Sequence, residues 1–339
     1  MSVFAFWNNK GGTGKTSLSF QTICAYAEKH KGMKILAIDL CPQANLSELF
    51  LGGLIGKGGI HLTSLYESDK RRSIGGYFQE RMPSPFSMPS FNYKDFLCHP
   101  HRYNRAVSAN IDLVAGDSIV ELQTNAIATL SNTRLPGPDT WLAVIDWLND
   151  FIKMTENQYD DIFIDTNPSF SVYTQIALAA ANRLVLPVMA DDSSRRAIQN
   201  AFSLVHGIKL PSAMYKEYSF AEKLRNAGRA LPLVHLVVKN RLTQYMGSAT
   251  AYNSVLNSID NDLNELLASH PDIFTFSSLS EGLVEIRDFQ TTGVVAFAEG
   301  KPFIRMNAGT HNIQGRDTQI RQDYIENCRS AIATLVNKL

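Results

Sequence analysis

The chain has 339 residues, 45% of them hydrophobic and 19% charged, which are the proportions of a globular protein with ample material for a core. Its 32 basic and 32 acidic residues cancel, so any nucleic-acid contact has to come from a local patch. Cys24, Cys41, Cys98 and Cys328 are too scattered for a zinc site or a C-x-x-C pair; with no signal peptide and no apolar run near the ~20 residues of a membrane span, the expected location is cytoplasmic.

The first predicted element is an apolar strand over residues 3–7, followed by a glycine-rich turn and a helix over 16–29. Gly32 punctuates the chain, and a second strand over 34–38 ends at Asp39. Strand, turn, helix, strand is a βαβ unit, which implies a parallel sheet. Further apolar runs at 111–114, 162–164, 184–188 and 233–238 are continuous rather than alternating, as strands buried on both faces are. Helical patterns over 140–155, 171–181 and 194–208 separate several of them, and an amphipathic pattern over 320–339 predicts a closing helix. The expected fold is α/β, a mostly parallel twisted sheet flanked by helices and forming a single domain over 1–339. Residues 70–110 break the rhythm with Pro83, Pro85, Pro89, Pro100 and seven aromatics, including Tyr77, Phe78 and Phe96. Proline at this density breaks helices and sits badly in central strands, whereas the aromatics require burial, so this segment reads as an ordered insertion. Residues 304–339 read as a C-terminal extension.

The chemistry concentrates between the first strand and the first helix, at residues 8–17. Phosphates need several N–H donors within about 3 Å, so the backbone has to approach closely. Gly11, Gly12 and Gly14 remove the Cβ atoms that would prevent it, and the helix start adds free N–H groups and the positive end of its dipole. Lys15 reaches for the β- and γ-phosphates, Thr16 offers a hydroxyl to Mg²⁺, and Thr13 and Ser17 complete the loop. The general signature G-x-x-x-x-G-K-[ST] fails at Asn9, while the variant K-G-G-x-G-K-[ST] fits from Lys10 to Thr16.

That variant resembles the deviant phosphate loop of ParA/MinD-type P-loop ATPases, nearest their ParA partitioning subgroup. The resemblance implies that Lys10 reaches across an ATP-bound homodimer to the partner's nucleotide, a cation supplied in trans like an arginine finger. Residues 39–47 resemble the family's D-x-D-P-Q-x-N-x-[ST] segment, which implies roles for Asp39 in catalysis and as a Mg²⁺ ligand. Residues 160–169 resemble its Walker B strand, with Asp165 as a metal-site carboxylate at the carboxyl end. Leu186-Pro187-Val188 is similar to the strand that follows, Asn240 falls where the family recognises adenine, and residues 287–302 are similar to its late glycine-containing segment. The match covers about residues 1–50 and 107–303. ATP and Mg²⁺ are the implied cofactors.

One position departs from the pattern. Cys41 stands where the family has the second aspartate of D-x-D, the carboxylate that handles the attacking water. A thiol is mostly neutral at pH 7 and a weak acceptor, and losing a positioned base typically costs ~10²–10⁴-fold in rate. Slow hydrolysis is therefore expected, unless Asp192 or a partner subunit replaces the carboxylate. Residues 201–241 carry seven basic and two acidic side chains, net +5, and residues 69–105 net +4. Such stretches suit non-specific DNA binding by an ATPase switch that positions or partitions DNA or other cargo with a ParB-like stimulator. The alternative is an ATP-binding, hydrolysis-poor dimeric regulator that recruits a partner, which Cys41 favours. A kinase or synthetase shares the loop but lacks a reason for Lys10. The tail offers only Lys338 as a cation over 330–339, which disfavours a membrane-binding helix, and no cysteine pair suits an iron–sulfur reductase.

Overall fold

A computed structural model describes every residue except Pro89, Pro138, Glu156, Ala190 and 243–248, and omits the side chains of Asp192 and residues 249–253. Eight strands form one sheet: β1 (Ser2–Phe6), β2 (Ile35–Asp39), β3 (Leu97–Cys98), β4 (Ile111–Val114), β5 (Asp161–Asp165), β6 (Arg183–Val188), β7 (Leu233–Leu242) and β8 (Leu283–Arg287). Their spatial order is β3-β4-β2-β5-β1-β6-β7-β8. Every pairing is parallel except β3 with β4. A separate antiparallel hairpin, β9 (Gly309–Ile313) and β10 (Arg316–Ile320), lies outside the sheet.

The first half of the chain supplies helices α1 (Lys15–Lys29), α2 (Asn45–Phe50), α3 (Gly58–Tyr66), α4 (Ile74–Arg81) and α5 (Ile119–Asn132). The middle contributes α6 (Thr140–Ile145), α7 (Trp147–Met154), α8 (Val172–Ala180), α9 (Asp192–His206), α10 (Ala213–Glu217) and α11 (Phe220–Asn226). Then come α12 (Ala249–Ser269), α13 (Leu279–Gly282), α14 (Gln290–Glu299) and α15 (Gln322–Val336). Side chains alternate across a strand, so β1 sends Val3 and Ala5 to one core and Phe4 and Phe6 to the other. The first core lies under α4–α9 and α12, and the second under α1–α3, α14 and α15. Both faces are covered, which is why the central strands read as continuous apolar runs.

Within residues 70–110, α4 carries Tyr77 and Phe78 fully into the first core, where they meet Phe91, Phe96, Trp147 and Phe151 ring to ring at 5.0–5.7 Å. Arg81 is buried with them, paired to Asp150 at 2.8 Å and stacked over Trp147. The prolines follow the helix rather than interrupt it; Pro89 lies outside the described residues. The helical pattern over 140–155 is in fact two helices that break at Asp146. The pattern over 320–339 starts later than its periodicity suggests, because Ile320 belongs to β10.

Candidate phosphate-binding site

Sheet register assembles the site before any side chain is considered. Phe6 pairs with Asp165 across β1–β5, and Asp39 pairs with Asp165 across β2–β5. Three parallel strands thus end together, and the loops leaving their carboxyl ends share one crevice. The loop after β1 is anchored at its start by Asn8, whose Oδ1 accepts from Lys10 N–H at 3.0 Å and whose Nδ2 donates to the Pro187 carbonyl at 2.7 Å. Gly12 and Gly14 both take left-handed φ, 75° and 77°, where a side chain is strained. Gly14 caps α1, and a Cβ there would lie 2.6 Å from Asn240 Nδ2.

Lys15 turns inward and is almost fully buried. Burial pushes its pKa down, while Asp165 and Cys41 oppose that shift. Thr16 Oγ1 donates to Asp165 Oδ2 at 2.8 Å, and Ser19 Oγ donates to Asp165 Oδ1 at 3.1 Å. Asp39 and Asp165 are both completely buried, and burial raises both carboxyl pKa values; in Asp39 the neighbouring Asp165 adds to the rise, and in Asp165 Lys15 offsets it. Asp39 is tied to the loop that follows it. Its Oδ1 accepts from Cys41 N–H and its Oδ2 from the backbone and hydroxyl of Ser47. That geometry ties Asp39 to the 41–47 loop and leaves its Oδ1 an open acceptor position, so Asp39, Asp165 and Thr16 together offer hard oxygens that suit Mg²⁺.

Cys41 sits beside this pair. Burial, then Asp39 and Asp165, push its thiol up to about 12, so it is neutral at any physiological pH. The side chain of Asp192 lies outside the described ones.

Lys10 does not point into the loop. Its Nζ bonds both oxygens of Asp191, at 2.7 and 2.5 Å, and Ser194 Oγ at 3.1 Å. Asp191 is the N-cap of α9. Burial disfavours its ionised form, but Lys10, Ser193 and Ser194 outweigh that and bring its pKa down to about 2. No motif identifies Asp191 in advance; an aspartate two residues before a Ser at a helix start is the weak signal that the sequence carries.

Asn240 Nδ2 donates to the Thr13 carbonyl at 2.9 Å, leaving its buried Oδ1 without a partner among the described residues. Asn9 Oδ1 and Thr13 Oγ1 are likewise buried and without a partner among the described residues. Beside them opens a pocket of ≈ 450 Å³, running from Gly14 and Ser17 along α1 to Phe289, Val294 and Phe297. Unspent polar atoms at a glycine-rich loop, with an apolar pocket leading away, fit a nucleotide whose phosphates lie in the loop and whose base lies in the pocket.

The basic stretches are less free than their sequence suggests. Lys239 is buried between Asp260 and Glu285, Arg229 pairs with Asp146, and Lys209 pairs with Glu265. Arg225 reaches Glu222, and Lys223 lies over Trp141. In the earlier stretch Arg71 is held by Asp117 and Arg81 by Asp150. No described helix is long and apolar enough to cross a membrane.

A family model described as an AAA domain matches residues 1–216. The chain is 26% identical over 190 residues to a virulence plasmid ParA family protein, pGP5-D, of Chlamydia psittaci, covering 55% of this chain and 56% of that one. The chain spans about half the length of the curated relatives it matches. Among solved structures it resembles the ATP complex of a McdA variant from Cyanothece, at TM-score 0.63 and 12% identity over 100% of this chain and 96% of that one. It also resembles pNOB8 ParA bound to nonspecific DNA, at TM-score 0.53 and 16% identity over 99% and 98%. At these identities the structural likeness establishes the fold.

Proposed function

This chain belongs to the AAA-domain family of ParA/MinD-type P-loop ATPases, and from that premise we propose that it binds ATP with Mg²⁺ at residues 8–17, dimerises around the nucleotide and hydrolyses it slowly. The observation that carries this reading is the buried Lys15 beside the Thr16–Asp165 contact at 2.8 Å, directly after a left-handed Gly14. Lys15 neutralises the β- and γ-phosphates, Thr16 and Asp165 hold the Mg²⁺, and Gly11, Gly12, Thr13 and Ser17 supply the surrounding loop. Asp39 fixes the loop that carries Cys41 and joins Thr16 and Asp165 at the Mg²⁺ site, which gives it a part in catalysis. Asn240 offers its spare Oδ1 to the amino group of adenine. Lys10 acts in trans once released from Asp191.

The nucleotide-dependent dimer would position or partition DNA or another cargo, with a ParB-like adaptor as stimulator. A relative of this fold has been seen on nonspecific DNA, which supports DNA as a partner. The pairing of most cations in 201–241 makes that surface weaker than its net charge implies. A second reading, a hydrolysis-poor regulator that recruits a partner protein while ATP-bound, is favoured by one observation, the neutral thiol of Cys41.

Calorimetry on wild type and Lys15→Ala tests the core of the proposal. Removing the loop's buried cation should weaken ATP binding by at least ~100-fold in a folded protein. Wild-type affinity in that variant would overturn the phosphate-loop assignment. Phosphate release with and without duplex DNA then separates a DNA-stimulated switch from a non-hydrolysing module.

A further inference from the structure

The last residues of β7 leave the regular ladder. Between Lys239 and Leu242 its register against β8 shifts, and Arg241 takes φ = 58°, a left-handed conformation unusual for a non-glycine residue. Consecutive side chains of a regular strand point to opposite faces. Here the irregularity turns both Asn240 and Arg241 onto one glycine: a Cβ on Gly14 would lie 2.6 Å from Asn240 Nδ2 and 3.4 Å from Arg241 Nε.

Arg241 lines the ≈ 450 Å³ pocket with Gly14, Ser17 and Asp288. The same lining contains none of Lys15, Thr16, Cys41 or Asp165, so it lies away from the end of the loop where the γ-phosphate and metal would sit. Arg241 also differs from several other cations of the basic stretch. Lys239, Arg229 and Lys209 are engaged with carboxylates, whereas no salt bridge joins Arg241 to a described residue.

We propose that Arg241 is a nucleotide-binding residue acting in cis, its guanidinium contacting the portion that ATP and ADP share, at the α-phosphate and sugar side of the pocket. The inference rests on the phosphate-loop reading above. A planar fork of donors matches phosphate oxygens in a way a lysine ammonium does not. Arg241 is thereby a member of the nucleotide site and not of a DNA-facing surface.

The test is equilibrium binding of Mg·ATP and Mg·ADP to wild type, Arg241→Ala and Arg241→Lys. Arg241→Asn serves as a second truncation, because asparagine tolerates the left-handed backbone. Lys15→Ala is the control for the loop. Both truncations should weaken ATP and ADP by the same factor, about 10- to 100-fold, and Arg241→Lys should recover only part of it. Unchanged affinity in both truncations, with tight wild-type binding, overturns this inference and leaves the loop reading intact. A loss confined to ATP assigns Arg241 to the γ-phosphate and overturns it. A loss of duplex DNA affinity at constant nucleotide affinity makes Arg241 a surface cation and overturns it. A wild type that binds neither nucleotide overturns the loop reading, and this inference with it.

Discussion

Cys41 lies against two buried carboxylates, Asp39 and Asp165, and its thiol stays protonated because burial and those two charges oppose the thiolate. Cys41→Asp would add a third carboxyl group to that cluster. The added acceptor should raise ATP turnover, with a ceiling of ~10²–10⁴-fold that imperfect orientation will keep it below. The same charge should lower the stability of the nucleotide-free protein by about 1–3 kcal/mol, and Mg·ATP should restore most of it. Phosphate release and thermal melts on the two proteins measure both effects. Brisk wild-type turnover unchanged by the substitution would show that the carboxylate is supplied elsewhere. A second residue carries a pH signature. His206 is buried against Phe202, neither ring nitrogen has a partner among the described residues, and burial, helped by Arg225, takes its pKa down to about 4. Between that value and the unfolded ~6.5 the unfolded chain binds the extra proton, so stability falls as pH drops through this window. His206→Leu should flatten that part of the profile and, by removing unsatisfied donors and acceptors, cost little or nothing at pH 7. Urea melts from pH 4 to pH 7 on both proteins show it; parallel profiles would mean that other groups set the acid slope.

Elements are legible in the sequence where the physics is local. The strands at 111–114, 162–164, 184–188 and 233–238 announce themselves because burial on both faces demands continuous apolar runs, and the structure has a strand at each. The phosphate loop is legible because close backbone approach requires glycine at fixed spacing. β8 lacks such a signal for a physical reason: it is an edge strand with one solvated face, so Leu283–Arg287 alternates in burial instead of running apolar. The β9–β10 hairpin is mostly polar, and its strongest signal is the Gln314-Gly315 turn, both residues with positive φ. The break between α6 and α7 falls at Asp146, inside one continuous helical pattern that no proline or glycine marks. Partners defined by tertiary contact are equally hidden, among them Ser47 on Asp39, Ser19 on Asp165 and Asp191 on Lys10. Net charge over 201–241 misleads for the same reason, since its pairing acids lie at 146, 260, 265 and 285.

At the scale of the whole molecule, the arrangement of Lys10 makes assembly a competition between two anions. In the single chain its ammonium rests on Asp191 at the start of α9, with partly exposed side chains on both sides. A pair that open to solvent is worth about 1 kcal/mol or less. A nucleotide triphosphate in a facing subunit offers several charged oxygens in a water-poor interface, where the same cation gains considerably more. ATP should therefore draw Lys10 away from Asp191 only when a second copy closes over the site, and the dimer should depend on the γ-phosphate. Lys10→Ala should bind ATP as a monomer within a few-fold of wild type, because Lys15 still holds the phosphates, yet should form no ATP-dependent dimer. Asp191→Asn should keep the dimer, since it removes only the competing in-chain carboxylate and leaves the lysine available. Light scattering on the three proteins with ATP and with ADP makes the comparison. An unchanged ATP-dependent dimer in Lys10→Ala would remove the trans role of this lysine. A wild type that binds ATP and stays monomeric would instead make the chain a nucleotide-loaded binding module, with Lys10 and Asp191 serving only to tie the loop to α9.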